Sequence, residues 1–102
     1  MQVGVLKIKL FIPYSQSLKD KRRVVQSVTT RIRNKYNVSI TCVEEGKWQI
    51  AQLCIAYTSG SHGRVKDVLH HIADFVSRER LDVEVVDHDV QIFTLGDGED
   101  WS

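Results

Sequence analysis

Along residues 2–12, Leu6, Ile8, Leu10 and Ile12 point one way, while Val5, Lys7, Lys9 and Phe11 point the other. Period two over this length predicts a half-buried strand, and Pro13 ends it because it has no amide to give a ladder. From residue 17 the spacing changes. At about 100° per residue, Leu18, Val25, Val28, Ile32 and Tyr36 form one stripe with Val24 at its edge, which predicts an amphipathic helix over 17–36. Lys21 falls close to that stripe, tolerable only where the first turn is partly open. Ser17 is placed to cap the helix, Asp20 to supply the reciprocal half of a capping box, and Asn37 to take a left-handed position after it.

Alternation returns over 38–43 and 48–58, on either side of a turn at 44–47 built on Gly46. In the longer strand Ala51, Leu53, Ile55 and Tyr57 share a face, and Trp48, Ile50, Cys54 and Ala56 share the other. Residues 59–63 are a loop of small residues, in which Ser61 is the expected cap of a second helix reaching about Arg80. Val65, Val68, Leu69, Ile72 and Val76 give that helix its inward stripe. Over 81–95 the alternation slips, Val83 and Val85 having one parity and Val86, Val90 and Ile92 the other, and a bulge near Val86-Asp87 accounts for it. Residues 1–95 then make one domain, and 96–102 a loose acidic tail.

The order β-α-β-β-α-β is that of the split-βαβ, ferredoxin-like sandwich of the α+β class. A four-stranded antiparallel sheet would carry both helices on one face, with the first and third strands central. Val3, Val5, Phe11, Trp48, Ile50 and Ala56 are left on the uncovered face, so a homodimer is expected through a surface that includes Val5, Phe11, Trp48 and Ile50.

At 102 residues, 42% apolar and 26% charged, the chain is a single ordinary globular domain. No apolar run approaches the roughly 18 residues of a membrane span, and lysines interrupt the first strand, so neither a membrane nor a secretory signal is expected. The cytoplasm is the expected compartment. Cys42 and Cys54 are read as small buried hydrophobes. If Glu45-Gly46 centres the turn, opposed residues sum to roughly 91, which sets Cys42 against Gln49 and Cys54 against Asn37. The thiols are then too far out of register for the roughly 4.4–6.8 Å between Cα atoms that a bridge requires.

Charge changes the picture most. The net charge is +1, yet the first helix holds seven of fourteen Lys and Arg residues: Lys19, Lys21, Arg22, Arg23, Arg31, Arg33 and Lys35. Against the single acid Asp20 the segment carries about +6, and the remaining seven basic and twelve acidic residues about −5. Four of these cations crowd the first turn, where the dipole is already positive and each is unfavourable by about 0.3–1 kcal/mol. A helix end with free amides and four cations is a seat for phosphate; the alternative is a solvated face whose stems cover apolar surface.

Other chemistry is thin. Phe11 and Trp48 lie near strand ends, and no Lys/Arg-Gly-Phe-Gly run exists, so base stacking on the sheet face is not the expectation. His70 and His71 point about 100° apart on a helix and do not share an ion, and His62 and His88 read as surface residues. In Asp87-His88-Asp89 the two acids face one way and the imidazole the other. The 59–63 loop lacks the Gly-Lys-Ser/Thr ending of a P-loop. No cofactor, metal or catalytic set is indicated.

Met-Gln-Val-Gly-Val-Leu at the start, Ile12-Pro13, the run Ser-Leu-Lys-Asp-Lys-Arg-Arg-Val-Val from Ser17, Asn37-Val38-Ser39 and Trp48-Gln49 are similar to the YlxP-like family. These are small bacterial proteins of unassigned function, and the resemblance covers about residues 1–92. It implies a ferredoxin-like fold and no established activity. In some bacteria the family's gene lies among those for transcription and translation factors, which implies RNA or the ribosome as partner. Residue chemistry and resemblance together lead to the expectation of a non-enzymatic protein that docks the basic helix on structured RNA or a ribosomal particle. The alternative is a dimeric regulatory or assembly module that meets an acidic protein or a small anion through the same helix.

Overall fold

The computed structural model describes residues 1–43, 46–79 and 82–96. Its elements run β1 (Gln2–Phe11), α1 (Leu18–Lys35), β2 (Ser39–Val43), β3 (Ile50–Ser59), α2 (His62–Glu79) and β4 (Glu84–Thr94). The strands pair antiparallel in the order β2-β3-β1-β4, the ferredoxin-like arrangement with β1 and β3 central. Leu6, Ile8, Leu10 and Ile12 join Ala51, Leu53 and Ile55 in one core with Val28 and Ile32 of α1 and Val65, Leu69, Ile72 and Val76 of α2. Since those strand residues share a face, both helices lie on it. Tyr36 and Phe75 join the helices edge to face, with ring centroids 5.9 Å apart.

The slip in the last strand is a bulge. Lys9 lies opposite Asp87 but Leu10 opposite Val85, so Val86 is the extra residue and is half exposed. Ser17 caps α1 by accepting from the Asp20 amide at 3.1 Å, and Ser61 caps α2 by accepting from the Arg64 amide at 3.3 Å. The Asp20 carboxylate reaches back, but to the Gln16 amide (3.0 Å), one residue earlier than a capping box requires.

Several local expectations are corrected. Among the described residues no side-chain-bearing residue has positive φ, so Asn37 is not a left-handed cap. The chain leaves α1 extended at Tyr36 (φ −129°, ψ 140°), whose ring is held against Phe75 and whose amide closes the last turn on the Ile32 carbonyl. In α1, Leu18, the first residue of the helix, is exposed, and Lys21 and Thr29 are buried with Val28 and Ile32; Lys21 is accommodated because its Nζ donates to the Lys47 carbonyl, and Thr29 because its Oγ1 donates to the Gln26 carbonyl. The β2–β3 register is also different: Cys42 lies opposite Leu53 and Cys54 opposite Thr41, since the connection centres nearer Trp48 than Gly46. The thiols sit one step apart, but successive residues face opposite ways, and neither is in a disulfide. Trp48 and Gln49 belong to this connection and not to β3. The expected helix end at Arg80, the strand start at Leu81 and the tail from Asp97 lie outside the described residues.

Candidate nucleic-acid interface

Seven cations on one helix do not make one surface. Lys21 is 1% exposed, and its Nζ donates to the Lys47 carbonyl at 2.8 Å. The structure takes it out of the anion-binding set, because its ammonium is spent inside, tying the first turn of α1 to the β2–β3 connection. Arg33 donates from Nη2 to the Ile40 carbonyl of β2 (3.1 Å). On the other flank Arg31 reaches α2, where Nη1 donates to the Glu79 carbonyl (3.3 Å) and stands 3.7 Å from its carboxylate. Lys35 Nζ sits 4.7 Å from the centre of the Phe75 ring. These four hold α1 to its neighbours.

Lys19, Arg22 and Arg23 are left. All three are exposed, and among the described residues none has a protein partner. They occupy little more than the first turn of α1, on the side away from the core. Of the amides beneath them, that of Asp20 is already answered by the Ser17 hydroxyl, so the positive charge at this end lies in the side chains more than in a bare helix end.

The buried lysine brings a second group to this end of the molecule. Its bond to Lys47, the Ile12 amide on the Gln49 carbonyl (2.8 Å) and Gln49 Nε2 on the Pro13 carbonyl (3.1 Å) fasten the connection before β3 to the loop between β1 and α1. Next in the chain to Pro13 and to Gln49 stand two aromatic residues. Tyr14 is 80% exposed and Trp48 is 50% exposed. Trp48 shares a shallow hollow with Lys47 and Ile50. Sequence reasoning placed Trp48 on the sheet face and gave Tyr14 no role; the exposed ring next to Pro13 was the available signal.

The uncovered sheet face is less apolar than the alternation implied. Val5, Phe11 and Ile50 are half-buried there, with Phe11 opposite Ile50. Between the apolar ends runs a charged band in which Lys7 opposes Asp89 and Lys9 opposes Asp87. His88 faces the helix side, where its ring meets His70 edge to face at 6.4 Å. His62, Lys66, His70 and His88 line one hollow between α2 and β4, a grouping visible in sequence only as the i, i+4, i+8 spacing on the helix. Among the described residues no three His, Cys, Asp or Glu side chains are arranged to hold a metal ion.

Residues 3–90 match the family model "Protein of unknown function (DUF503)". The chain belongs to this family. The DUF503 match begins within β1 and runs to Val90 in β4, so it takes in α1, Tyr14 and Trp48. The chain is also 32% identical over 75 residues to "Uncharacterized protein YlxP" of Bacillus subtilis (strain 168), across 72% of this chain and 82% of that one. Among solved structures, the de novo designed protein Foldit4 superposes with a TM-score of 0.53 at 10% identity, covering 94% of this chain and all (100%) of the design. The designed ferredoxin-fold protein LFR1 1 gives 0.49 at 16% identity over 100% of this chain and 93% of that one. These likenesses concern the fold alone. In the described residues no helix is long and apolar enough to cross a membrane.

Proposed function

We propose that this DUF503 protein is a non-enzymatic, cytoplasmic binding protein that associates with structured RNA or ribosomal particles through the amino-terminal end of α1. The observation that carries the reading is the division of the basic residues. Lys21 is buried, and Arg31, Arg33 and Lys35, though exposed, each meet a carbonyl or ring of a neighbouring element, whereas Lys19, Arg22 and Arg23 are exposed with no protein partner among the described residues, Lys19 in the first turn where the dipole disfavours cations. No hydrogen bond or ion pair among the described residues uses these three, and a phosphate backbone would. Second copies of the chain meet, in this reading, through the uncovered sheet face around Val5, Phe11 and Ile50.

The test is co-sedimentation with ribosomal particles and direct RNA binding by the parent and by Arg22→Glu/Arg23→Glu. The parent is expected to bind with an affinity that falls steeply with salt, and the charge-reversed protein to fold normally but lose binding. Alanine at both positions should reduce the slope of log affinity against log salt by about 1.4, from roughly 0.7 per phosphate contact on single strands. Equal binding by parent and charge-reversed protein removes the reading, and so does capture of acidic proteins alone after nuclease treatment.

A further inference from the structure

We infer that the interface takes unpaired bases, with Trp48 as the stacking platform and Tyr14 beside it, so that the partner is single-stranded or looped RNA and not a continuous duplex. The inference rests on the RNA reading above and adds which part of an RNA the site holds.

Exposed indole is uncommon on a small domain without a use, because an aromatic ring of that size stabilises a fold chiefly by being buried. Here Trp48 remains half exposed although the chain around it is fastened at three points. The fastening matters. A ring on a loose loop would lose conformational freedom on stacking, whereas one on a pinned connection has given it up in folding. Tyr14, the most exposed large hydrophobic side chain among the described residues, follows directly on Pro13, whose carbonyl accepts one of those bonds. Tyr14 and Trp48 are therefore each one residue from the Gln49–Pro13 bond.

Charge is arranged around them. Lys47 adjoins Trp48 in the shared hollow, and the buried Lys21 bond ties that residue to the inner side of the same end of α1 whose outer side carries Lys19, Arg22 and Arg23. An exposed ring with a cation beside it, and more cations at the same end of the molecule, suits a single strand, its bases stacking while its phosphates track the positive groups. An A-form duplex keeps its bases stacked on one another and offers phosphates and sugar hydroxyls, so it would use the cations and leave the rings idle. The Trp48 ring also departs from RNA-reading sheets, whose stacking aromatics stand on central strands: here it stands at the end of the sheet, ahead of β3.

The experiment uses the full chain carrying W101F, so that Trp48 is the sole tryptophan. Titration with an oligoadenylate strand, and separately with an RNA hairpin of equal charge and short closed loop, is followed by tryptophan emission and by an independent affinity measurement. Quenching by the single strand, an affinity about tenfold lower in Trp48→Ala and largely kept in Trp48→Phe, and hairpin binding that Trp48→Ala leaves unchanged would support the inference. If Trp48→Ala binds the single strand as well as its parent while Arg22→Glu/Arg23→Glu does not, stacking is refuted and the RNA reading stands. If the parent binds neither RNA, both are refuted. The near-ultraviolet circular dichroism and melting temperature of each variant establish that folding is intact.

Discussion

Lys21 shows how a single residue can carry the wrong label. By charge it belongs with its neighbours Arg22 and Arg23; by position it belongs with Val28 and Ile32 in the buried stripe. Its aliphatic stem fills space under the first turn and its ammonium meets one carbonyl, that of Lys47. Two substitutions separate these contributions. Lys21→Ala removes the stem as well as the hydrogen bond and should lower stability by about 2–4 kcal/mol. Lys21→Met keeps the stem, removes a buried charge, and frees a carbonyl in an exposed connection where water can reach it, so it should stay within about 1 kcal/mol of the parent. Urea denaturation measures both. The same Lys21→Met protein should bind RNA as its parent does, since its ammonium never faced the ligand.

At the scale of elements, the alternation of β1 and β3 and the stripes of both helices were legible because burial on one face imposes a period on the chain. The bulge at Val86 was legible for the same reason, as a break in period. What could not be read was how closely elements approach. Gly4 looks like an ordinary small residue in a strand, yet a Cβ there would collide with Val65 and stand 2.6 Å from Leu69 Cδ1, both on α2. The second helix docks on β1 through that gap. Gly4→Ala should therefore cost about 1–3 kcal/mol by forcing α2 away, which thermal or urea unfolding would register. Likewise the burial of Lys21 depends on the position of the Lys47 carbonyl, which no local pattern encodes.

For the whole molecule, a net charge of +1 conceals a division between a basic helix and an acidic remainder, and folding divides it again. The uncovered face brings Lys7 and Lys9 beside Asp89 and Asp87, so its middle is electrically balanced and its ends are apolar. That composition suits contact with a second copy better than contact with nucleic acid. Sedimentation of the parent should show a dimer that dissociates on dilution, and Phe11→Asp, which places a carboxylate at one apolar end, should give a monomer with its fold retained. A parent that is monomeric at high concentration would refute the dimer and leave the α1 interface standing.

The order of elements, the inward faces of the central strands and of α2, the serine caps at the start of both helices and the strand bulge were determined by the sequence alone, because each is a local or periodic property of neighbouring residues. Only the tertiary structure decided which cations remain at the surface, that His70 meets His88, and that Tyr14 and Trp48 are each one residue from the Gln49–Pro13 bond. Those groups stand far apart along the chain. They come together only through packing, and how tightly each pair is fixed depends on distances that a one-dimensional pattern does not contain.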